Sequence, residues 1–166
     1  MDKKIKGQVF CYGDNVDTDQ IYPGRFVEYT DVADVVKYAM YGADPTFTQR
    51  FVSGDILIGG KNFGCGSSRE HAAICLKEIG VGAVIADSFA RIFYRNGINM
   101  GLPLLVCSQW DRKPEEGESI QADILEGKIY DSEKNCIGKI EVVSKYSMNI
   151  LESEGIKNLI RKNVKK

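Results

Sequence analysis

A chain of 166 residues and 18.5 kDa is expected to bury roughly 69% of its extended surface, enough for one hydrophobic core without disulfide or metal staples. Its 43% hydrophobic and 27% charged residues exclude a disordered, collagen-like or coiled-coil chain. The 22 basic and 23 acidic residues leave a net charge of −1, too weak a field to hold a nucleic-acid backbone.

In chain order, residues 1–7 are polar where a signal peptide requires an apolar stretch, and no run approaches the roughly eighteen apolar residues of a membrane span. A cytoplasmic protein without membrane contact is expected. Residues 8–12 read as a strand that ends in the polar run 13–19, whose Asp and Asn side chains fold turns. Residues 31–41 place Val32, Val35, Val36 and Ala39 at helical spacing. The centre reads as strand 55–58, a glycine loop, helix 68–79 with Ala72, Ala73, Leu76 and Ile79 on one side, and a stop at Gly80. A buried strand at 81–86, a short helix at 88–95 broken by Gly97, and a strand at 102–106 follow. Parallel strands joined by helices give an α/β core with right-handed crossovers.

Past Asp111, short strands are expected around 120–125, 128–130 and 137–143, then a terminal helix with Ile156, Leu159, Ile160 and Val164 inward. Lys157, Arg161, Lys162, Lys165 and Lys166 crowd its end and read as a solvated face favoured by the helix dipole. With no repeat or low-complexity linker, residues 1–166 are expected to form one domain. Cys11, Cys65, Cys75, Cys107 and Cys136 are odd in number and never form a C-x-x-C pair, so reduced thiols and no metal or cluster site are expected in this chain.

Chemistry concentrates in Gly59-Gly60-Lys61-Asn62-Phe63-Gly64-Cys65-Gly66-Ser67-Ser68-Arg69-Glu70-His71, between a strand and a helix. Glycines let backbone amides approach a ligand closely, and the helix start adds unpaired N–H groups favouring an anion. Arg69 supplies a planar fork matched to a carboxylate or phosphate. Walker A fails because Cys65 follows Gly64 where Lys is required, and the dinucleotide fingerprint fails because Arg69 takes its third glycine position. A G-x-S-x-G elbow fails as well, since Cys65 and Arg69 flank Ser67. His71 is the single histidine and reads as a buried, hydrogen-bonded residue rather than a base. Ser67-x-x-Glu70 has the spacing of a capping box, a structural alternative that spacing alone does not remove. Asp14, Asp17 and Asp19 miss the EF-hand glycine and glutamate positions and read equally as a polar turn.

The run Asn62-Phe63-Gly64-Cys65-Gly66-Ser67-Ser68-Arg69-Glu70-His71-Ala72 resembles the signature of the last domain of aconitase and of the small subunits of 3-isopropylmalate dehydratase and homoaconitase. Asp17-Thr18-Asp19-Gln20-Ile21-Tyr22-Pro23 and Ser88-Phe89-Ala90-Arg91-Ile92-Phe93-Tyr94-Arg95-Asn96, followed by Gly101-Leu102-Pro103, agree in the same order. The resemblance implies a swivelling β/β/α three-layer domain. It further implies a large partner subunit, in a heterodimer or higher heteromer, carrying a 4Fe-4S cluster. The implied reaction is reversible dehydration of a 2-hydroxy di- or tricarboxylic acid, a hydro-lyase step of leucine biosynthesis in the isopropylmalate case. It assigns Ser67 as catalytic base, Ser68 and Arg69 as substrate binders, Asp19 as an acidic residue orienting the cationic groups, and Cys65 to a variable position.

It also makes residues 24–29 a substrate-selecting loop, with Phe26, Val27, Glu28 and Tyr29 departing from the Tyr-Leu that begins this element in isopropylmalate and homoaconitate enzymes. Glu28 should repel a third carboxylate while Phe26 and Val27 favour an alkyl group, which points to isopropylmalate or a methylated malate such as 2,3-dimethylmalate before homocitrate. An inward Arg25 would reverse that order. A non-catalytic anion-binding module and a thiol enzyme built on Cys65 and His71 are the rival readings.

Overall fold

The computed structural model describes residues 1–165; Lys166, the last residue of the basic run, lies outside them. Its centre is strand β1 (Lys4–Cys11), which pairs parallel with β2 (Ile56–Ile58) on one side and antiparallel with β6 (Ser119–Asp123) on the other. The parallel half continues through β3 (Ala83–Ala86) and β4 (Leu104–Val106). The antiparallel half continues through β7 (Lys128–Asp131) and β8 (Cys136–Lys139) to the two-residue β5 (Gln109–Trp110). The sheet order is therefore β4-β3-β2-β1-β6-β7-β8-β5.

Period-two alternation on the parallel strands divides the core into two layers. Leu57, Val84, Ala86 and Leu104 face helices, together with Ala72, Cys75, Leu76, Phe93 and Ile98. Ile56, Ile58, Ala83, Ile85 and Leu105 face the other way, against Ile120, Ala122, Ile129 and Ile137 from the antiparallel half. A parallel sheet buried on both faces needs apolar residues at successive positions, which accounts for the unbroken Ala83-Val84-Ile85-Ala86. Helix, parallel sheet and antiparallel sheet make the three layers of the expected β/β/α arrangement.

Helix α4 (Glu70–Ile79) follows β2 and α5 (Arg91–Met100) follows β3. Short helices α1 (Thr18–Ile21), α2 (Val32–Val35) and α3 (Phe47–Arg50) precede β2, while α6 (Lys145–Glu152) and α7 (Ile156–Val164) pack near α5.

Three expectations need correction, and one element is new. The 31–41 helix is a four-residue α2 followed by a 3-10 turn, Val36–Tyr38. Gly97 does not break a helix at 95. Helix α5 runs through it to Met100 because a Cβ on Gly97 would lie 2.5 Å from Leu104 Cδ1, so the bare Cα is what lets the helix sit on β4. The terminal helix does not bury its whole apolar stripe: Ile156 and Leu159 contact the core, whereas Ile160 and Val164 are 55% and 80% exposed. Helix α6 was not anticipated; it opens with Ser144, whose hydroxyl accepts a hydrogen bond from Ser147 N. No helix among the described residues is long and apolar enough to cross a membrane.

Candidate active site

The glycine loop is fixed by three sets of hydrogen bonds. Its first part hydrogen-bonds toward the segment before α5, with Phe63 N donating to Ser88 O at 3.0 Å and Ala90 N donating to Phe63 O at 2.9 Å. Its second part bonds to the start of α1 and the residues before it, with Gly64 N donating to Val16 O at 2.7 Å and Thr18 N donating to Cys65 O at 2.8 Å. Gly64 has φ +84°, and a Cβ there would lie 2.2 Å from Phe93 Cγ, so only glycine lets the loop press on α5. Third, the Thr18 hydroxyl donates to Ser67 O at 2.7 Å. Thr18 is buried, and its contact with the loop, 49 residues away in sequence, went unnoticed in the sequence because nothing in its local spacing marks it.

Ser67 is not a helix cap. Helix α4 starts at Glu70 with Arg69 in the N-cap position, and no side chain caps it. The capping box forms instead at α1, where Asp17 accepts from Gln20 N and the Gln20 side chain accepts from Asp17 N. Ser67 and Ser68 are exposed and line a cavity of about 250 Å3 with Gly66, Arg69, Arg91 and Asn96.

Arg69 is held in place. Its Nη1 donates to Tyr22 O at 2.8 Å and pairs with Asp19 Oδ1 at 3.1 Å. The same Asp19 oxygen accepts from Gly24 N at 2.8 Å. That backbone hydrogen bond, reinforced by Arg69, holds the Asp19 carboxyl below the usual carboxylate range, so it is ionised at neutral pH. Of the three aspartates in the 14–19 turn, two are structural: Asp17 caps α1, and Asp14 accepts from Lys61 N at 2.7 Å.

His71 is half-buried; its Nε2 lies 2.9 Å from Tyr29 O and its ring stacks on Tyr22 at 5.0 Å. A carbonyl partner fixes the proton on Nε2, and no hydrogen bond joins the ring to Cys65 among the described residues. The 24–29 loop does not line the cavity. Phe26 is locked in an aromatic stack, 3.8 Å from the Tyr38 ring, with Tyr29 6.3 Å away. Arg25 lies over the Phe26 and Tyr41 rings at 4.8 and 5.5 Å, while Val27, Glu28 and Tyr29 are exposed.

The cysteines do not fit an iron–sulfur cluster held by this chain. They lie on β1, in the glycine loop, on α4, after β4 and on β8, and among the described residues no three His, Cys, Asp or Glu side chains converge. Burial pushes the Cys11 and Cys107 thiols up to about 11, so both stay protonated at neutral pH.

The Aconitase C-terminal domain family matches residues 14–109, which contain every site residue named above. The chain belongs to that family. Among its aconitase-family relatives, the isopropylmalate/citramalate isomerase small subunit of Methanocaldococcus jannaschii is 45% identical over 96% of this chain and 95% of its own length. The 3-isopropylmalate dehydratase small subunit 1 of Methanopyrus kandleri is 44% identical over 95% and 93%. The crystal structure of a 3-isopropylmalate dehydratase from M. jannaschii superimposes with a TM-score of 0.90 at 39% identity, covering 96% of this chain and 95% of the other.

Proposed function

We propose that this chain is the small subunit of a heteromeric hydro-lyase that dehydrates and rehydrates a 2-hydroxy dicarboxylate, with 3-isopropylmalate in leucine biosynthesis as its substrate. The observation that carries this reading is the Ser67 hydroxyl, free of any capping duty, beside the immobilised guanidinium of Arg69 in a cavity with no acidic lining residue.

In the proposed step Ser67 Oγ, as the alkoxide, takes the proton from the carbon next to the one bearing the hydroxyl. The C–H electron pair becomes the new C=C bond, the C–O pair leaves with the hydroxyl as hydroxide, which takes up a proton from solvent to become water, and Ser67 is left as the neutral hydroxyl. A serine hydroxyl is a weak base at neutral pH, so its alkoxide needs fixed positive ends around it. The uncapped first-turn amides of α4 and the Arg69 guanidinium are those ends. Arg69 spends Nη1 on Asp19 and Tyr22 O, which leaves its other N–H groups to grip a substrate carboxylate in a preset orientation. Ser68 lines the same cavity and serves as a hydrogen-bond partner of the substrate. The proposed large partner, rather than this chain, would hold the 4Fe-4S cluster.

A methylated malate is the second reading, favoured by the citramalate in the name of the M. jannaschii relative. The test is co-expression with the large subunit and anaerobic assay of dehydration across isopropylmalate, citramalate, dimethylmalate and homocitrate. Turnover of isopropylmalate above the others supports the reading; turnover of none of them overturns it.

A further inference from the structure

We propose that Arg91 is a second carboxylate-binding residue of this site, and that Arg69 and Arg91 divide the two carboxylates of the substrate between them. This rests on the dicarboxylate reading above and names the residue that would satisfy its second charge.

Arg91 is the first residue of α5, and it lines the same 250 Å3 cavity as Ser67, Ser68 and Arg69. Gly64 pressed on Phe93 brings that helix start against the glycine loop. The two cations are not equivalent. Arg69 is 19% exposed in its side chain and already pairs with Asp19, so its charge is largely answered within the chain. Arg91 is exposed, and among the described residues its guanidinium makes no ion pair or side-chain hydrogen bond. No side chain caps the start of α5 either, so its first-turn N–H groups add positive potential on the same side. With Arg69 paired to Asp19 and no aspartate or glutamate in the lining, the charge left unanswered is that of Arg91 and the two helix starts, which calls for a carboxylate at Arg91 besides the one Arg69 grips through its remaining N–H groups. Arg95 makes the internal comparison: it is a turn further along α5 and exposed, yet it does not line the cavity.

The experiment uses Arg91→Gln, Arg91→Lys and Arg95→Gln in the complex reconstituted with the large subunit. With isopropylmalate, Arg91→Gln should raise KM about 10- to 100-fold, the range of a lost charge-assisted hydrogen bond. Arg91→Lys should recover part of the loss, and Arg95→Gln should match wild type. The isopropylmalate monoamide lacking the carboxylate that Arg91 holds should show less than about a threefold difference between wild type and Arg91→Gln. Subunit affinity, measured by titration, should be unchanged.

Wild-type kinetics for Arg91→Gln overturn the proposal, as does an equal loss in Arg95→Gln, or a fall in subunit affinity that accounts for the lost rate. The last result would make Arg91 a docking contact. A readout independent of turnover is the amide spectrum of the full 15N-labelled chain titrated with isopropylmalate. Shifts at Ser67, Ser68, Arg91 and Ile92 that weaken at least fivefold in Arg91→Gln support the proposal, and unchanged affinity sinks it. If wild-type complex turns over no malate derivative, the dehydratase reading fails while this titration still decides the role of Arg91.

Discussion

Replacing Ser67 by Ala separates a chemical role from a structural one, because the structure ties this residue down only through its backbone carbonyl. The variant keeps the Thr18 hydrogen bond and loses no helix cap, so its unfolding free energy should stay within about 0.5 kcal/mol of wild type. Turnover in the proposed complex should fall by about 10²- to 10⁴-fold, the usual contribution of a positioned base. Thermal unfolding and single-turnover assays on the same preparation check both halves. A loss near 1 kcal/mol with rate retained would return Ser67 to the helix-cap role its spacing suggests.

Glu28 is the second test at this scale. It is exposed, and Arg25, whose inward placement would have cancelled its effect, lies over the Phe26 and Tyr41 rings instead. The loop does not line the cavity and solvent screens an exposed carboxylate, so its discrimination against a third substrate carboxylate should be small, at most about threefold. Glu28→Arg should shift the ratio of kcat/KM for homocitrate over isopropylmalate by that factor. An unchanged ratio means the side chain takes no part in substrate choice.

At the scale of elements, the glycine loop works because α5 lies directly behind it. Gly64→Ala would place a methyl 2.2 Å from Phe93 Cγ at a φ of +84°. Overpacking and the left-handed backbone together should destabilise the chain by about 2–4 kcal/mol, read from the denaturation midpoint at unchanged m-value. Gly64→Ala combined with Phe93→Ala should cost less than the sum of the two single variants, because the truncated ring no longer meets the new methyl; a double variant equal to that sum would show that the contact is not the cause.

This contact also marks the limit of what the sequence carried. The parallel strands and α4 were legible because apolar period and glycine stops are local signals. The role of Gly97 was not, since its reason is Leu104 Cδ1, supplied by another element. Ser67-x-x-Glu70 misled in the same way: the Thr18 hydroxyl and the Arg69 grip on Asp19 and Tyr22 O hold the loop extended, and the helix begins three residues after Ser67. The residues of the site were legible as a motif, but their arrangement depended on a segment about 50 residues upstream.

For the whole molecule, the question is what completes a cavity that is open on one side. Ile92, which lines it, is 50% exposed, and Val27 and Tyr29 after α1 and Val32 at the start of α2 are 39%, 39% and 45% exposed. Scattered apolar residues on a monomer need no explanation, but Ile92 sits on the lining of the polar site itself. A proposed partner covering that cavity would exclude water from Ser67 and strengthen every electrostatic contact within it. The chain alone should therefore be colourless and without dehydratase turnover, since its dispersed cysteines hold no cluster. Titrated into a fixed amount of reconstituted large subunit under anaerobic conditions, it should restore activity along a saturable curve. Ile92→Asp should weaken the midpoint of that curve at least tenfold while leaving the unfolding of the isolated chain unchanged, because half of its side chain already meets water. Iron–sulfur absorbance or turnover from the purified chain would contradict the requirement for a partner. An unshifted midpoint for Ile92→Asp would place the docking face elsewhere.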